Sequence, residues 1–193
     1  WRISEEAFME WAKPALSLFK FRGSWGIIGD QTVDNGLYVS TLGTGQVSWL
    51  GANGQKLFYR GTPTAVAASI TWQDIATLDL GFDARFFNND LGITFDWFQR
   101  DTKNMIVPGA NVAYTFGAGA PKGNYGSLRT RGWEVAIDYN HRFNNGLGVN
   151  AMFTLSDALT EITKYSDTRL ISDYYVGKNP GEIWGYRTER LCQ

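Results

Sequence analysis

The groups with the most evident chemical capacity in this chain are carboxylates. Asp79, Asp83 and Asp96 fall on one parity of two neighbouring alternating stretches, and Arg85 and Arg100 share that parity. Two facing carboxyls are the equipment of glycoside hydrolysis. Interleaved with arginines, however, the same residues make a hydrogen-bonded wall, and that reading is preferred. Glu134, Asp138 and Arg142 repeat the arrangement further along, which a single catalytic pair has no reason to do. The only histidine, His141, stands on an apolar parity beside a tight turn, where an interfacial role fits better than a ligand or a base. Cys192, the only cysteine, has no partner for a disulfide or a thiolate metal site. Residues 117 to 123 (Gly-Ala-Gly-Ala-Pro-Lys-Gly) have the glycines of a phosphate loop but lack its Gly-Lys-Ser/Thr ending and the helix that should follow. No catalytic residue, cofactor or metal site is expected, and the chain is not read as an enzyme. The remaining chemistry is stacking. Trp49, Tyr59, Tyr114, Phe116 and Tyr125 lie in long connections, where exposed rings suit stacking on a ligand or packing of the connections against one another.

Composition narrows the classes. The 193 residues carry 18 Lys+Arg against 19 Asp+Glu, so neither an acidic tail nor the basic surface of a nucleic-acid binder is present. No run approaches the roughly 18 apolar residues of a membrane-spanning helix. Eight Trp, nine Tyr, twelve Phe and 22 Gly beside five Pro are unusual for an enzyme of this size. The chain starts at Trp1 without Met and stops at Gln193 in what reads as mid-element, which implies a piece of a longer protein.

The elements that position these residues are strands. From Leu78 to Phe86 the even residues Leu78, Leu80, Phe82, Ala84 and Phe86 alternate with Asp79, Gly81, Asp83 and Arg85. After Asn88-Asn89 the alternation resumes with Leu91, Ile93, Phe95 and Trp97. A two-residue turn at positive φ pairs Phe87 with Asp90, and Phe82 then faces Phe95 and Leu80 faces Trp97. A slip of one residue would destroy this match. The second hairpin alternates Trp133, Val135, Ile137, Tyr139 and Phe143 with Glu134, Asp138 and Arg142. A three-residue Asn144-Asn145-Gly146 loop returns it through Leu147, Val149, Ala151, Phe153 and Leu155, with Phe143 opposite Leu147. Phe19, Phe21, Trp25 and Ile27 mark a further strand, and Ile70 and Trp72 lead into the Leu78 strand. Only Glu5 to Trp11 reads as a short helical turn, capped by Ser4.

Connections alternate between tight and long, the long ones being about 31–67, 108–127 and 160–182. Short turns at one end and long loops at the other are the habit of an outer-membrane barrel, with its loops outside the cell. Trp133 to Phe143 spans about 33 Å along a strand and about 23 Å when tilted by roughly 45°, close to the apolar band between two aromatic girdles. Trp72, Phe86, Trp97, Trp133 and Phe143 are then lipid-interface aromatics. Asp79, Asp83, Arg85, Asp96, Arg100, Glu134, Asp138 and Arg142 face the lumen. The competing reading is a soluble antiparallel β-sheet, such as a carbohydrate-binding module using the same aromatics.

Several segments resemble SusC/RagA-type TonB-dependent transporters of the Gram-negative outer membrane. The opening WRISEEAFM (Trp1–Met9) is similar to a segment between two of their barrel strands, and LFKFRGSWGIIGDQ (Leu18–Gln31) to the strand they write L-K-L-R-x-S-[YW]-G-x-x-G-[ND]. Ser69–Ile106 follows their L-T-W-E … D-x-G … T-x-D-[YW]-[YF]-x-[RK]-x-T pattern. Arg129–Tyr139 resembles N-x-G-[WF]-E, and Asn179–Leu191 their closing [YW]-G-Y segment. Arg131 departs from the Asn-type residue before Gly132, the Pro-Gly order at Asn179–Gly181 is altered, and Arg190–Gln193 lose the pattern. The resemblance implies an all-β, antiparallel, incomplete barrel segment of about six to eight strands, residues 1–193 being part of a large plugged barrel whose plug and closing strands lie elsewhere. It also implies active import of oligosaccharide or peptide cargo. The partners would be a SusD-like surface lipoprotein, the TonB complex acting through the plug, and outer-membrane lipid, with no nucleic acid and no cofactor.

Overall fold

The structure is a computed structural model and describes residues 1–32, 36–166 and 174–187. It is almost entirely β. Seven strands occur in the described residues: β1 (Leu16–Asp30), β2 (Leu42–Leu50), β3 (Lys56–Pro63), β4 (Gln73–Phe86), β5 (Leu91–Pro108), β6 (Lys122–Arg142) and β7 (Gly148–Lys164). Five form one antiparallel sheet in the order β1-β4-β5-β6-β7, and β2 pairs with β3 in a separate two-stranded sheet. This agrees with the fold class and strand number expected from the alternation.

Turn chemistry explains the sequential pairings. Asn88 and Asn89 take φ of 55° and 74°, and the Asp90 N–H donates to the Phe87 carbonyl at 3.1 Å, so a primed two-residue turn joins β4 to β5. Phe82 stacks on Phe95 with centroids 5.6 Å apart, the partner the turn dictates. At the other hairpin Gly146 has φ 87°, its N–H reaches the Phe143 carbonyl at 3.0 Å, and the Phe143 N–H reaches the Leu147 carbonyl at 2.8 Å. The Asn144-Asn145-Gly146 turn matches its sequence signature, while in the first turn Phe87 also takes positive φ (52°), which its residue type does not announce.

The chain divides into two compact units: Trp1–Ile28, Ile75–Thr102 and Leu128–Glu161 form the first, and Gly29–Asp74, Lys103–Ser127 and Ile162–Gln193 the second. The first holds both tight turns. The second holds the three long connections. Among the described residues neither has a closed core: Ala84 and Ile162, each 3% exposed, are the buried hydrophobic residues, and no large side chain is fully buried. Trp25, Ile28, Met152 and Leu159 are between 60 and 72% exposed. A single-layer sheet leaves both faces open, so burial must come from what surrounds it.

Four expectations are corrected. The 31–67 connection carries the β2–β3 hairpin, because Leu42–Leu50 and Lys56–Pro63 satisfy each other's backbone groups. The 108–127 loop shrinks to 109–121: Gly- and Tyr-rich composition reads as loop, but residues from Lys122 onward form β6, and Gly126 packs against Met105 and Val107. β7 continues to Lys164, so the last long connection begins later than residue 160, and residues 167–173 within it lie outside the described set. The N-terminal turn is two short 3₁₀ helices, Ile3–Glu5 and Ala7–Ala12, with no side-chain cap. Ser4 is buried and its hydroxyl has no hydrogen-bond partner among the described residues. It sits inside the first turn, too early to reach the second.

Candidate functional site

In the first unit, alternation along β1, β4, β5 and β6 collects charge on one face, and strand glycines let it lie flat. Arg22 of β1 donates through Nε to Asp83 Oδ2 at 3.0 Å and through Nη2 to Asp96 Oδ2 at 2.9 Å. Asp96 Oδ1 lies 2.8 Å from the same Nη2 without the alignment of a hydrogen bond. A Cβ on Gly81 would collide with the Asp96 carboxylate and the Phe95 carbonyl. Arg85 reaches Asp138 Oδ2 at 2.6 Å, and a Cβ on Gly92 would collide with both members of that pair. Two arginines thus each cross a glycine on the next strand to a carboxylate one strand further. The side chains of Asp79, Arg100, Glu134 and Arg142 make no hydrogen bond or ion pair among the described residues. The opposed acid–base pair considered above does not assemble, because Arg22 sits between Asp83 and Asp96. Arg22 was missed by the sequence reading as a site residue: its strand pairs with β4, and no turn in the sequence announces that neighbour.

The opposite face carries the apolar residues. Trp97, Trp133 and Phe86 are half-buried, Phe143 is exposed just past β6, and Trp72 is exposed just before β4 rather than within it. Beside the tight turns His141 Nδ1 lies 2.6 Å from Asp90 Oδ2, and its ring meets Phe143 edge-on with centroids 4.5 Å apart. On the loop side of Trp133, Arg129 Nε donates to Asp101 Oδ1 at 2.6 Å and Arg131 Nε to Gln99 Oε1 at 2.9 Å. Apolar residues between two polar margins make a band.

In the second unit the five stacking candidates separate. Trp49 lies in β2 and Tyr59 in β3, Tyr114 and Phe116 form a single 3₁₀ turn, and Tyr125 belongs to β6 rather than to a loop. Tyr59 is directly opposite Gly45, and a Cβ there would come within 2.8 Å of the ring. Tyr125 lies in the same way over Gly123 and lines a cleft with Gly109, Pro121 and Tyr165. Asn124, unmarked in the sequence, ties this end together: its amide nitrogen donates to the carbonyls of Thr71 at 2.7 Å and Asn104 at 2.6 Å, and its oxygen accepts from the Thr71 N–H at 2.9 Å. Asn104 interrupts β5 with φ 59° and donates to Asp74 Oδ2 at 3.1 Å. Among the described residues no three His, Cys, Asp or Glu side chains converge as metal ligands. Cys192 lies outside them.

A family model described as "TonB dependent receptor-like, beta-barrel" matches residues 14–184. The chain belongs to this family. Its five-stranded sheet is therefore a stretch of TonB-dependent receptor barrel, and the soluble-module reading falls away. Three TonB-dependent receptors of Formosa agariphila are similar to it: one 22% identical over 99% of this chain, one 26% over 72% and one 24% over 100%. The chain spans only 13 to 18% of the length of these relatives. Among solved structures, a RagAB peptide transporter superposes with TM-score 0.68 at 21% identity over 85% of this chain and 17% of that one. A RagAB peptide importer in a closed-closed state gives 0.73 at 19% identity, covering 93% of this chain and 20% of that one. In an open-open state it gives 0.68 at 21%, covering 95% and 19%. At these identities the likeness establishes the fold, which is that of SusC/RagA-type barrels.

Proposed function

We propose that the chain is a wall segment of a TonB-dependent importer in the outer membrane of a Gram-negative bacterium. The importer would take up oligosaccharides or peptides beneath a SusD-like surface lipoprotein. The observation that carries the reading is one sheet with two chemically opposite faces in a chain of the TonB-dependent receptor family. The charged face, with Asp79, Asp83, Arg85, Asp96, Arg100, Glu134, Asp138 and Arg142, is the lumen wall against plug and water. The apolar face meets lipid, with Trp72, Phe86, Trp97, Trp133 and Phe143 near its margins.

The three long connections face the exterior on this reading, and Trp49, Tyr59, Tyr114 and Phe116 within them, with Tyr125 at the adjoining end of β6, touch cargo or lid. No covalent step is assigned. Work comes from TonB pulling on the plug, and the wall contributes a polar, partly ion-paired lining. The solved structures similar to this chain are described as a peptide transporter and a peptide importer, which supports import without choosing the cargo.

The test is made on the full-length protein in its own cells. It should fractionate with the outer membrane and migrate faster on gels before heating than after. Cells lacking the gene should lose uptake of one oligosaccharide or peptide class, and restored uptake should stop when a protonophore collapses the inner-membrane gradient. Uptake that survives the protonophore would contradict TonB dependence.

A further inference from the structure

The β2–β3 hairpin has one partly covered face and one bare face. Gly45, Val47 and Gly61 are half-buried on one parity, where Tyr59 lies over Gly45. On the other parity Thr44 and Gln46 of β2 and Lys56, Phe58 and Arg60 of β3 are all exposed, the register shifting beyond Gln46 so that Leu50 pairs with Lys56. Phe58 is 79% exposed, a large ring that nothing described covers. The register sets Gln46 opposite Phe58 and Thr44 opposite Arg60, placing an amide beside the ring and a hydroxyl beside the guanidinium. Lys56 and Arg60 flank Phe58 by two residues each, about 7 Å along the strand in either direction. Neither forms an ion pair among the described residues, and the sequence holds no Asp or Glu from residue 35 through residue 73.

We propose that this face binds an acidic oligosaccharide, a sugar chain bearing carboxylates, as cargo. One ring stacks on Phe58, carboxylates pair with Lys56 and Arg60, and Thr44 and Gln46 hydrogen-bond sugar hydroxyls. The charge argument is direct. Two cations that form no ion pair among the described residues, in a stretch of sequence without a carboxylate, favour an anion. A site for neutral sugar draws on side-chain carboxylates to accept hydroxyl protons, and this face has none. An acidic peptide would use the cations but leave the exposed ring without a function. The inference rests on the importer reading and narrows its cargo.

Calorimetry on the full-length protein in detergent tests it, with oligogalacturonate, neutral maltohexaose and polyglutamate as probes. Oligogalacturonate should bind, and binding should weaken as salt is raised because the charged contacts are exposed. Lys56→Gln combined with Arg60→Gln should weaken it at least tenfold, and Phe58→Ala about tenfold through lost stacking. Maltohexaose should bind far more weakly. The proposal is overturned if maltohexaose binds equally well, if the variants bind oligogalacturonate like the parent, or if polyglutamate binds more tightly and Phe58→Ala leaves that unchanged. Because these substitutions lie outside the five-stranded sheet, heat-dependent gel mobility should stay normal. Failure of the importer reading would appear instead as lost membrane fractionation or gradient-independent uptake.

Discussion

Gly81 and Gly92 occupy strand interiors, where glycine ordinarily weakens a sheet, and each keeps open the space through which an arginine reaches a carboxylate. The arrangement predicts which glycines matter. Gly81→Ala should cost about 1–3 kcal/mol, since the new Cβ meets backbone as well as the Asp96 carboxylate. Gly26→Ala, with nothing within 4 Å of the added Cβ, should cost nothing measurable. Urea midpoints of the refolded full-length barrel compare the two, and equal midpoints would remove the steric argument. Alternation and the Asn88-Asn89 turn were enough to place Asp83 and Asp96 on one face from the sequence. Arg22, which joins them, was not legible, because β1 and β4 are far apart in the chain and parity says nothing about which strands are neighbours.

Turns and strand ends are where elements depart from their periodicity. Both tight turns were readable from Asn88-Asn89 and Gly146, residues suited to positive φ, whereas the positive φ of Phe87 (52°) carries no such signature. Asn89 sits at φ 74°, and Asn89→Val should cost about 1–2 kcal/mol, a left-handed backbone being unfavourable for a β-branched residue. Asn89→Gly should cost little, and folding yields on refolding separate them. At the opposite end the sequence misled: the β2–β3 hairpin and the first residues of β6 carry Gly, Thr, Asn and Tyr, a loop composition, yet pairing across the strands satisfies their backbone. Asn104, at φ 59° within β5, is held by Asn124 through its carbonyl, and Asn124→Ala should also leave the Thr71 amide without its acceptor. Hydrogen exchange at Thr71 should rise about tenfold or more, local openings being the cheapest to release, whereas an unchanged rate would mean that the network does not hold this end.

On the scale of the whole molecule, a single-layer sheet with open faces is unintelligible in water and natural in a barrel wall. The apolar helix that the composition lacks is not needed, because strands cross with every second residue outward. Family membership was legible from spaced motifs running through nearly the whole chain, such as Arg129–Tyr139, while cargo was not, because the loop aromatics suit several ligands. If the odd residues of β6 face lipid, Ile137→Arg should destabilise the barrel by about 2–4 kcal/mol near mid-bilayer, measured by unfolding in lipid vesicles. The most direct measurement places nitroxide labels one at a time at residues 133 to 139 of the full-length protein in membranes. The account predicts that collisions with oxygen, which concentrates in lipid, peak at Trp133, Val135, Ile137 and Tyr139, and that collisions with a water-soluble nickel chelate dominate at Glu134, Ala136 and Asp138. Uniform access of the nickel chelate, with no alternation, would contradict it.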